Sequence, residues 1–185
     1  MARNIEIKAR IENVDSVMPL AASIADSGPT EMFQDDTFFL CPNGRLKLRI
    51  YSDSEGQLIF YQRPDTTGPK ESYYLISPTA SPDALRQVLS NAFGEAGRIR
   101  KHRTLFFTGR TRIHLDRVEG LGHFLELEVV LAEGEPAEAG VALAHELLDK
   151  LGISAGQLIG GAYFDLLADV SDPSLSSFQG SALER

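Results

Sequence analysis

The chain has 185 residues, 43% of them hydrophobic, which predicts one compact domain over residues 1–170. Its formal net charge of −8 argues against a nucleic acid partner, because such binding relies on a basic face that contacts phosphates. A single cysteine excludes an internal disulfide and a cysteine-based zinc site, and the absence of a long apolar run excludes a membrane helix. We therefore expect a cytoplasmic protein that does not bind membranes.

Eight segments carry patterns typical of β-strands. The expected strands cover residues 3–12, 32–40, 45–52, 57–63, 70–77, 97–109, 110–117 and 123–132. Apolar residues at helical spacing predict helices over 15–26, 81–93 and 138–151, with Asp15 as N-cap of the first, and shorter helices after Ser154 and over 163–169. The Ser-rich residues 171–185 are expected to form a disordered tail. Because few helices separate the strands, we predict an α+β fold built on an antiparallel barrel rather than a doubly wound sheet.

Several of these strands carry dense charge along one face. The alternating charged positions are Glu6, Lys8 and Arg10; Arg45, Lys47 and Arg49; Arg110, Arg112, His114 and Asp116; and Glu126 and Glu128. One such strand alone would be an ordinary half-solvated strand. Its repetition indicates instead that the charged faces point into one barrel. A lumen with a cationic wall and an acidic cluster suits a polyanion bound together with a metal ion.

Five blocks of sequence, in order from about residue 2 to 169, carry a resemblance to a known family. They are Asn4–Lys8, Gln34–Phe39 with Gly44–Arg49, Lys101–Arg103, His114–Val118 with Leu121–Glu128, and Tyr163–Leu167. The first is similar to the E-x-E-x-K signature of the CYTH superfamily, which includes class IV adenylyl cyclases, thiamine triphosphatases and inorganic tripolyphosphatases. The set as a whole looks closest to the class IV adenylyl cyclase-like branch. Asn4 stands where the family has its first glutamate, and its neutral oxygen is a poorer ligand for a divalent ion.

The resemblance implies an eight-stranded antiparallel tunnel that binds a triphosphate, with helices packed on the outside. It implies Mg²⁺ or Mn²⁺ as cofactor, because hard divalent ions take carboxylate oxygens, and the candidate metal ligands are Glu6, Asp116, Glu126 and Glu128. The candidate phosphate contacts are Lys8, Lys47, Arg49, Arg63, Lys101, Arg103 and Arg112. Of these, Lys8, Lys101 and Arg103 are the expected catalytic residues. For His114 we favour a hydrogen-bonding role in the lumen over proton transfer, and for Tyr163 we favour packing.

The expected function is a metal-dependent enzyme that acts on ATP, tripolyphosphate or thiamine triphosphate. Cyclisation of ATP to cyclic AMP and pyrophosphate is favoured, and hydrolysis of a triphosphate is the alternative. A third hypothesis is a non-catalytic module that binds a polyphosphate or nucleotide, although pure anion binding does not need the acidic cluster. Pairing of two barrels into a homodimer through their outer surfaces is left open.

Overall fold

The computed structural model describes residues 2–171 of the chain. Its strands are β1 Ala2–Ile11, β2 Ser27–Phe39, β3 Arg45–Ser52, β4 Glu55–Gln62, β5 Lys70–Thr79, β6 Glu95–Thr108, β7 Thr111–Val118, β8 Gly122–Val130 and β9 Leu158–Ile159. Its α-helices are α1 Val14–Ile24, α2 Pro82–Phe93, α3 Ala137–Lys150 and α4 Tyr163–Ser171, and a short 3-10 helix covers Ala155–Gln157.

Eight of the strands close into an antiparallel ring. The order around the ring is β1, β5, β4, β3, β2, β6, β7 and β8, and β8 pairs again with β1. The first half of β1 pairs with β5 through residues 2–6, while Lys8 and Ala9 pair with the short β9. The predicted α+β fold, with eight antiparallel strands in a ring and helices outside it, is therefore confirmed.

The apolar faces of the strands point outward and are covered by helices. Ile5, Ile7 and Ala9 of β1 are fully buried together with residues of β7 and β8, and α1 and α3 pack over them. Gly140 lets α3 approach closely, because a Cβ atom at this position would lie 2.6 Å from Ile5 Cγ1. The smaller α2 covers β2 and β3 through Leu89. Helices α1, α2 and α3 thus form an outer layer, and the charged strand faces are left to the interior of the ring.

One end of the ring is filled by apolar side chains and by α4. The buried members of this end are Phe38, Ile59, Tyr61, Ile99, Val118, Leu121, Phe124 and Tyr163. Phe164, Leu166 and Leu167 of α4 pack against them. Tyr163 packs on Phe124 with ring centroids 4.8 Å apart. This cluster and α4 close one end of the ring, which is called the closed end or inner end below. Helix α4 comes from the end of the described chain.

Most predicted elements match the structure within a few residues, with three exceptions. The prediction that Asp15 caps α1 is wrong, because the N-cap is Asn13, whose side chain accepts a hydrogen bond from the Asp15 backbone nitrogen. Strand β2 begins five residues before the predicted start, and the two-residue β9 was not predicted. The predicted tail lies outside the described residues except for Ser171. Over residues 2–171, no helix is long and apolar enough to span a membrane.

Candidate active site

The strand ring encloses a cavity of about 370 Å³ lined by charged side chains. Seven basic side chains line it, namely Lys8, Lys47, Arg49, Arg63, Lys101, Arg103 and Arg112. Four carboxylates line it as well, namely Glu6, Asp36, Glu126 and Glu128. All seven residues that were predicted to contact phosphates therefore lie around one cavity, together with three of the four predicted metal ligands. The cavity lining thus holds seven basic side chains against four carboxylates.

Asp116, the fourth predicted metal ligand, does not line the cavity but lies fully buried behind it. Its carboxylate accepts two hydrogen bonds from Arg103, at 2.6 and 2.7 Å, and one each from Lys101 and Tyr163, both at 2.9 Å. Burial alone would raise the pKa of Asp116, but Arg103 and Lys101 together lower it, so the side chain stays ionised. With four donors on its two oxygens, Asp116 is placed to hold basic side chains in position.

Lys101 and Arg103 respond differently to this buried environment. Burial and the nearby Arg103 lower the pKa of Lys101 to about 7, although Asp116 opposes this shift. For Arg103, burial favours the neutral form, but Asp116 outweighs it and raises the pKa further. Arg103 is thus a permanent charge, whereas Lys101 changes its charge near neutral pH.

Three further residues form a second cluster, farther along β7 and β8. His114 Nδ1 lies 3.3 Å from Glu126 Oε1 and 3.8 Å from Glu128 Oε1. Glu126 Oε2 lies 3.3 Å from Lys8 Nζ, and Glu128 Oε2 accepts a 2.8 Å hydrogen bond from Arg112. Burial opposes ionisation of Glu126, but Lys8 is the largest of the influences that lower its pKa. Two ionised carboxylates and one imidazole therefore face each other across the two strands.

Glu6 lies beside this cluster but is held by a different partner. It is the register partner of Glu128 on the neighbouring strand, and it forms a short ion pair with Arg63. Arg63 also donates a 2.8 Å hydrogen bond to the Gly161 carbonyl oxygen, just before α4. Glu6 therefore connects the carboxylate cluster with the closed end of the cavity.

A family model for the CYTH domain matches residues 2–163. The chain belongs to the CYTH domain family. The family predicted from the ordered motifs is thereby confirmed, and the match covers all eight strands of the ring.

Relatives of this CYTH protein agree with the assignment. A protein of Methanocaldococcus jannaschii, provisionally named an adenylate cyclase, is 25% identical over 169 residues, which cover 88% of this chain and 97% of that protein. A solved Pyrococcus horikoshii structure has a TM-score of 0.79 at 22% identity, covering 89% of this chain and 99% of that one. A solved Hippeastrum structure has a TM-score of 0.64 at 16% identity and covers 92% of this chain and 96% of that one. That protein is provisionally named an adenylyl cyclase and is described as having a dominant triphosphatase activity. The two solved structures share the fold.

One charged residue of the CYTH cavity, Asp36, is not among the predicted site residues. Asp36 receives hydrogen bonds from Arg49 at 2.7 Å from both Nε and Nη2, and from Lys47 at 2.9 Å. Asp35, its neighbour, points the other way and pairs with Arg98. The alternation of Gln34, Asp36 and Phe38 along β2 could have identified the inward aspartate, because these three residues share a strand face.

Two residues that were given minor roles also line the cavity, His114 and Tyr163. Burial and then Arg103 lower the pKa of His114, so its imidazole is neutral at pH 7. The Tyr163 ring does pack as expected, but its hydroxyl donates to Asp116 and its ring lies 4.1 Å from Lys8 Nζ. Tyr163 thus contributes both packing and polar contacts to the inner end of the site.

Proposed function

We propose that this CYTH protein is a divalent-metal-dependent enzyme that acts on a triphosphate bound in the ring cavity. The observation that carries the proposal is the lining itself, in which seven basic side chains and a carboxylate–histidine cluster surround one cavity of about 370 Å³. Transfer of phosphoryl or nucleotidyl groups needs little covalent help from the protein. It needs the phosphates held in line and their charge neutralised.

The basic side chains are pre-positioned for phosphate oxygens by buried acids. Asp116 orients Arg103 and Lys101, and Asp36 orients Arg49 and Lys47. Such contacts fix the guanidinium planes, and a planar guanidinium can bind two phosphate oxygens at once. Because the basic side chains exceed the carboxylates, a triphosphate neutralises the charge that remains.

Glu126 and Glu128, with Glu6 beside them, are the residues that would hold Mg²⁺ or Mn²⁺. The fit is supported by the donor set, since the two glutamates are ionised and converge within one cavity. When bound, the metal ion supplies charge neutralisation and polarises the reacting phosphorus. Asp116 stands behind the wall and supports the basic side chains instead.

The order of residues along the cavity favours reaction at the α-phosphorus of ATP, which is the phosphorus next to the ribose. Lys8 and Lys101 lie beside Tyr163 at the closed end, at 4.1 and 4.9 Å from its ring. Glu126 lies at the level of Lys8, because the two residues are register partners and Lys8 Nζ lies 3.3 Å from Glu126 Oε2. Glu128 lies about 6.8 Å farther from the closed end along β8. Terminal phosphates bound at the lysines would therefore place the α-phosphate towards Glu128.

In the proposed reaction, the ribose 3′-oxygen attacks the α-phosphorus and loses its proton to water, and the bond from this phosphorus to the bridging oxygen breaks. Pyrophosphate leaves towards Lys8, Lys101 and Arg103, which neutralise the charge that develops on it. The products are cyclic AMP and pyrophosphate. The provisional name of the Methanocaldococcus jannaschii relative favours this reaction.

Hydrolysis of a triphosphate is the second candidate, favoured by the triphosphatase activity described for the Hippeastrum structure. In that reaction, water attacks the terminal phosphorus, the bond from this phosphorus to the bridging oxygen breaks, and orthophosphate and a diphosphate product are released. The same basic wall would serve both reactions. They differ in which phosphorus faces the nucleophile.

A phosphorus-NMR time course separates the two reactions. The protein is incubated with Mg²⁺ or Mn²⁺ and with ATP, tripolyphosphate or thiamine triphosphate in separate samples. We expect cyclic AMP and pyrophosphate from ATP. Orthophosphate with a diphosphate product would instead establish the hydrolase. Binding without turnover of any of the three would contradict the proposal that the protein is an enzyme.

The variant Glu126→Gln tests whether the carboxylate cluster serves the reaction. Turnover should fall at least about 100-fold, because the amide removes a charged metal ligand, while thermal stabilisation by metal-free tripolyphosphate persists. Glu146→Gln, on the exposed face of α3, is the matched control and should keep full turnover. Unchanged turnover in Glu126→Gln would show that the metal assignment is wrong.

A further inference from the structure

The donor atoms of the carboxylate cluster converge in a particular way. His114 Nδ1 faces the Oε1 atoms of Glu126 and Glu128, at 3.3 and 3.8 Å, and one ligand atom from each residue lies within 4.8 Å of the others. The side chains of His114 and Glu126 are buried and that of Glu128 is half-buried. His114 Nδ1 therefore lies about as close to the two carboxylates as the oxygen of a third metal ligand would lie.

The second oxygen of each glutamate is held by a basic side chain on the other side. Lys8 contacts Glu126 Oε2, and Arg112 donates to Glu128 Oε2. Arg103 reaches Glu126 Oε1 only at 3.4 Å, because its shorter hydrogen bonds, at 2.6 and 2.7 Å, go to Asp116. The Oε1 atoms and Nδ1 thus face one another, and Glu126 Oε1 contacts both Arg103 and His114 Nδ1.

A buried oxygen in the same cavity also lacks a partner. Asn4 Oδ1 has no hydrogen-bond partner within residues 2–171, and the residue is 4% exposed. Asn4 precedes Glu6 by two residues on the same inward face of β1, and Glu6 is the register partner of Glu128. A buried oxygen without a donor is costly unless a ligand supplies a donor or a cation.

The two separations from His114 Nδ1 lie between those of adjacent and of opposite ligands around a six-coordinate cation. Ligands about 2.1 Å from an ion lie about 3 Å apart in adjacent positions and about 4.2 Å apart in opposite positions. The distances of 3.3 and 3.8 Å from His114 Nδ1 fall within this range. An ion that takes these donors in adjacent positions therefore requires shifts of about 0.3 to 0.8 Å in their separations.

We propose that His114 Nδ1 is itself a metal ligand, so that the site is a mixed nitrogen and oxygen site that prefers Mn²⁺ to Mg²⁺. Magnesium binds almost entirely through oxygen and water, whereas imidazole nitrogen is a good ligand for first-row transition metals. The inference rests on the proposed function, because it concerns the same metal site, and it selects between the two ions considered there.

Pulsed electron paramagnetic resonance of bound Mn²⁺ tests whether His114 is a ligand, because a coordinated imidazole nitrogen modulates the electron spin echo of the ion. The full-length wild type, His114→Gln and His145→Gln are compared, and His145 is exposed on α3. We expect nitrogen modulation in the wild type and in His145→Gln and its loss in His114→Gln. Titrations should show at least about tenfold weaker Mn²⁺ binding in His114→Gln, with a smaller change for Mg²⁺. Urea unfolding of the metal-free proteins checks that each variant is folded.

Two results would overturn the proposal. One is nitrogen modulation that persists in His114→Gln, and the other is Mn²⁺ binding to the wild type without nitrogen modulation. Calorimetry with metal-free tripolyphosphate separates this from failure of the proposed function. If tripolyphosphate and Mn²⁺ bind but nitrogen coupling is absent, only the role of His114 is wrong. If neither binds, the triphosphate function is wrong as well.

Discussion

Asp116 holds three side chains at the inner end of the cavity, and this contact pattern leads to a prediction. We expect Asp116→Asn to lower the free energy of unfolding by about 3 kcal/mol, because it removes one partner of a buried ion-pair network. Tripolyphosphate should bind more weakly, because Arg103 loses its orientation. The affinity for Mn²⁺ should change less than twofold, since Asp116 lies behind the cavity wall.

Urea unfolding and metal titration together measure these effects, with Asp149→Asn on the exposed face of α3 as control. If Mn²⁺ affinity falls about tenfold while stability is unchanged, Asp116 is a metal ligand as first expected. Alternation along β7 places Asp116 on the same strand face as His114 and Arg112. This alternation does not show that Asp116 lies behind the cavity wall, because α4, which fills the closed end of the ring, comes from a distant part of the sequence.

Lys101 gives the site a dependence on pH. Its pKa of about 7 means that at pH 8 only about one in ten molecules carries the charge. A bound polyanion stabilises the charged form and raises this pKa, so binding at pH 8 should take up close to one proton at this residue. For the same reason, affinity for tripolyphosphate should decrease as the pH rises through 7.

Calorimetry in buffers with different ionisation enthalpies measures the proton uptake. Lys101→Arg is the control, because arginine keeps its charge throughout this pH range. Protons of the phosphate itself contribute equally to both proteins, so the difference between them reports Lys101. Equal uptake by the two proteins would contradict the lowered pKa of Lys101.

At the scale of elements, α4 is both a packing element and part of the site. The Tyr163 hydroxyl donates to buried Asp116, and the ring faces Lys8. We expect Tyr163→Phe to lower stability by about 1 kcal/mol through loss of this hydrogen bond, and to weaken tripolyphosphate binding modestly. Tyr73→Phe, at a side chain that is 37% exposed, should change neither quantity in urea unfolding and binding assays. Equal effects of Tyr163→Phe and Tyr73→Phe would show that α4 is not part of the site.

The strands of this fold could be predicted, but much of their arrangement could not. In β1, β3, β7 and β8, charged and apolar residues alternate with a period of two, which is the period of side chains along any β-strand. The presence of these strands and the residues on their inward faces can therefore be predicted from the sequence. The pairing of β2 with β6 and the closure of β1 on β5 join distant segments. Local patterns predict a barrel but carry no information about which distant strands pair, and the motif resemblance implied the eight-stranded tunnel.

The site shows the same division. Six of the seven basic residues were predicted from strand alternation or from the family motifs, Arg63 belongs to neither set, and all seven line the cavity. Asp36 was missed because two adjacent aspartates on β2 hide the fact that only one points inward. His114 was given a minor role because its distance from the two glutamates depends on the register between β7 and β8, in which it lies opposite Glu126.

At the scale of the whole molecule, the charge is divided between inside and outside. The chain carries a net charge of −8, whereas the cavity lining carries seven basic and four acidic side chains. The exterior therefore holds the acidic excess and repels long polyanions, while a small polyanion that enters the ring meets positive charge. Under the proposed function, this arrangement favours a compact triphosphate over a nucleic acid.

The division of charge predicts how anions change stability. Metal-free tripolyphosphate at 100 times its dissociation constant should raise the free energy of unfolding by about 2.7 kcal/mol, because it binds the folded ring and not the unfolded chain. A single-stranded oligonucleotide of the same phosphate concentration should have no measurable effect. In Lys47→Gln the stabilisation at a fixed tripolyphosphate concentration should shrink, since one inward charge is lost while Arg49 keeps Asp36 paired. The exposed Lys150→Gln should behave like the wild type. Urea unfolding at fixed ionic strength measures all four cases, and equal stabilisation by the oligonucleotide would show that the anions bind outside the ring.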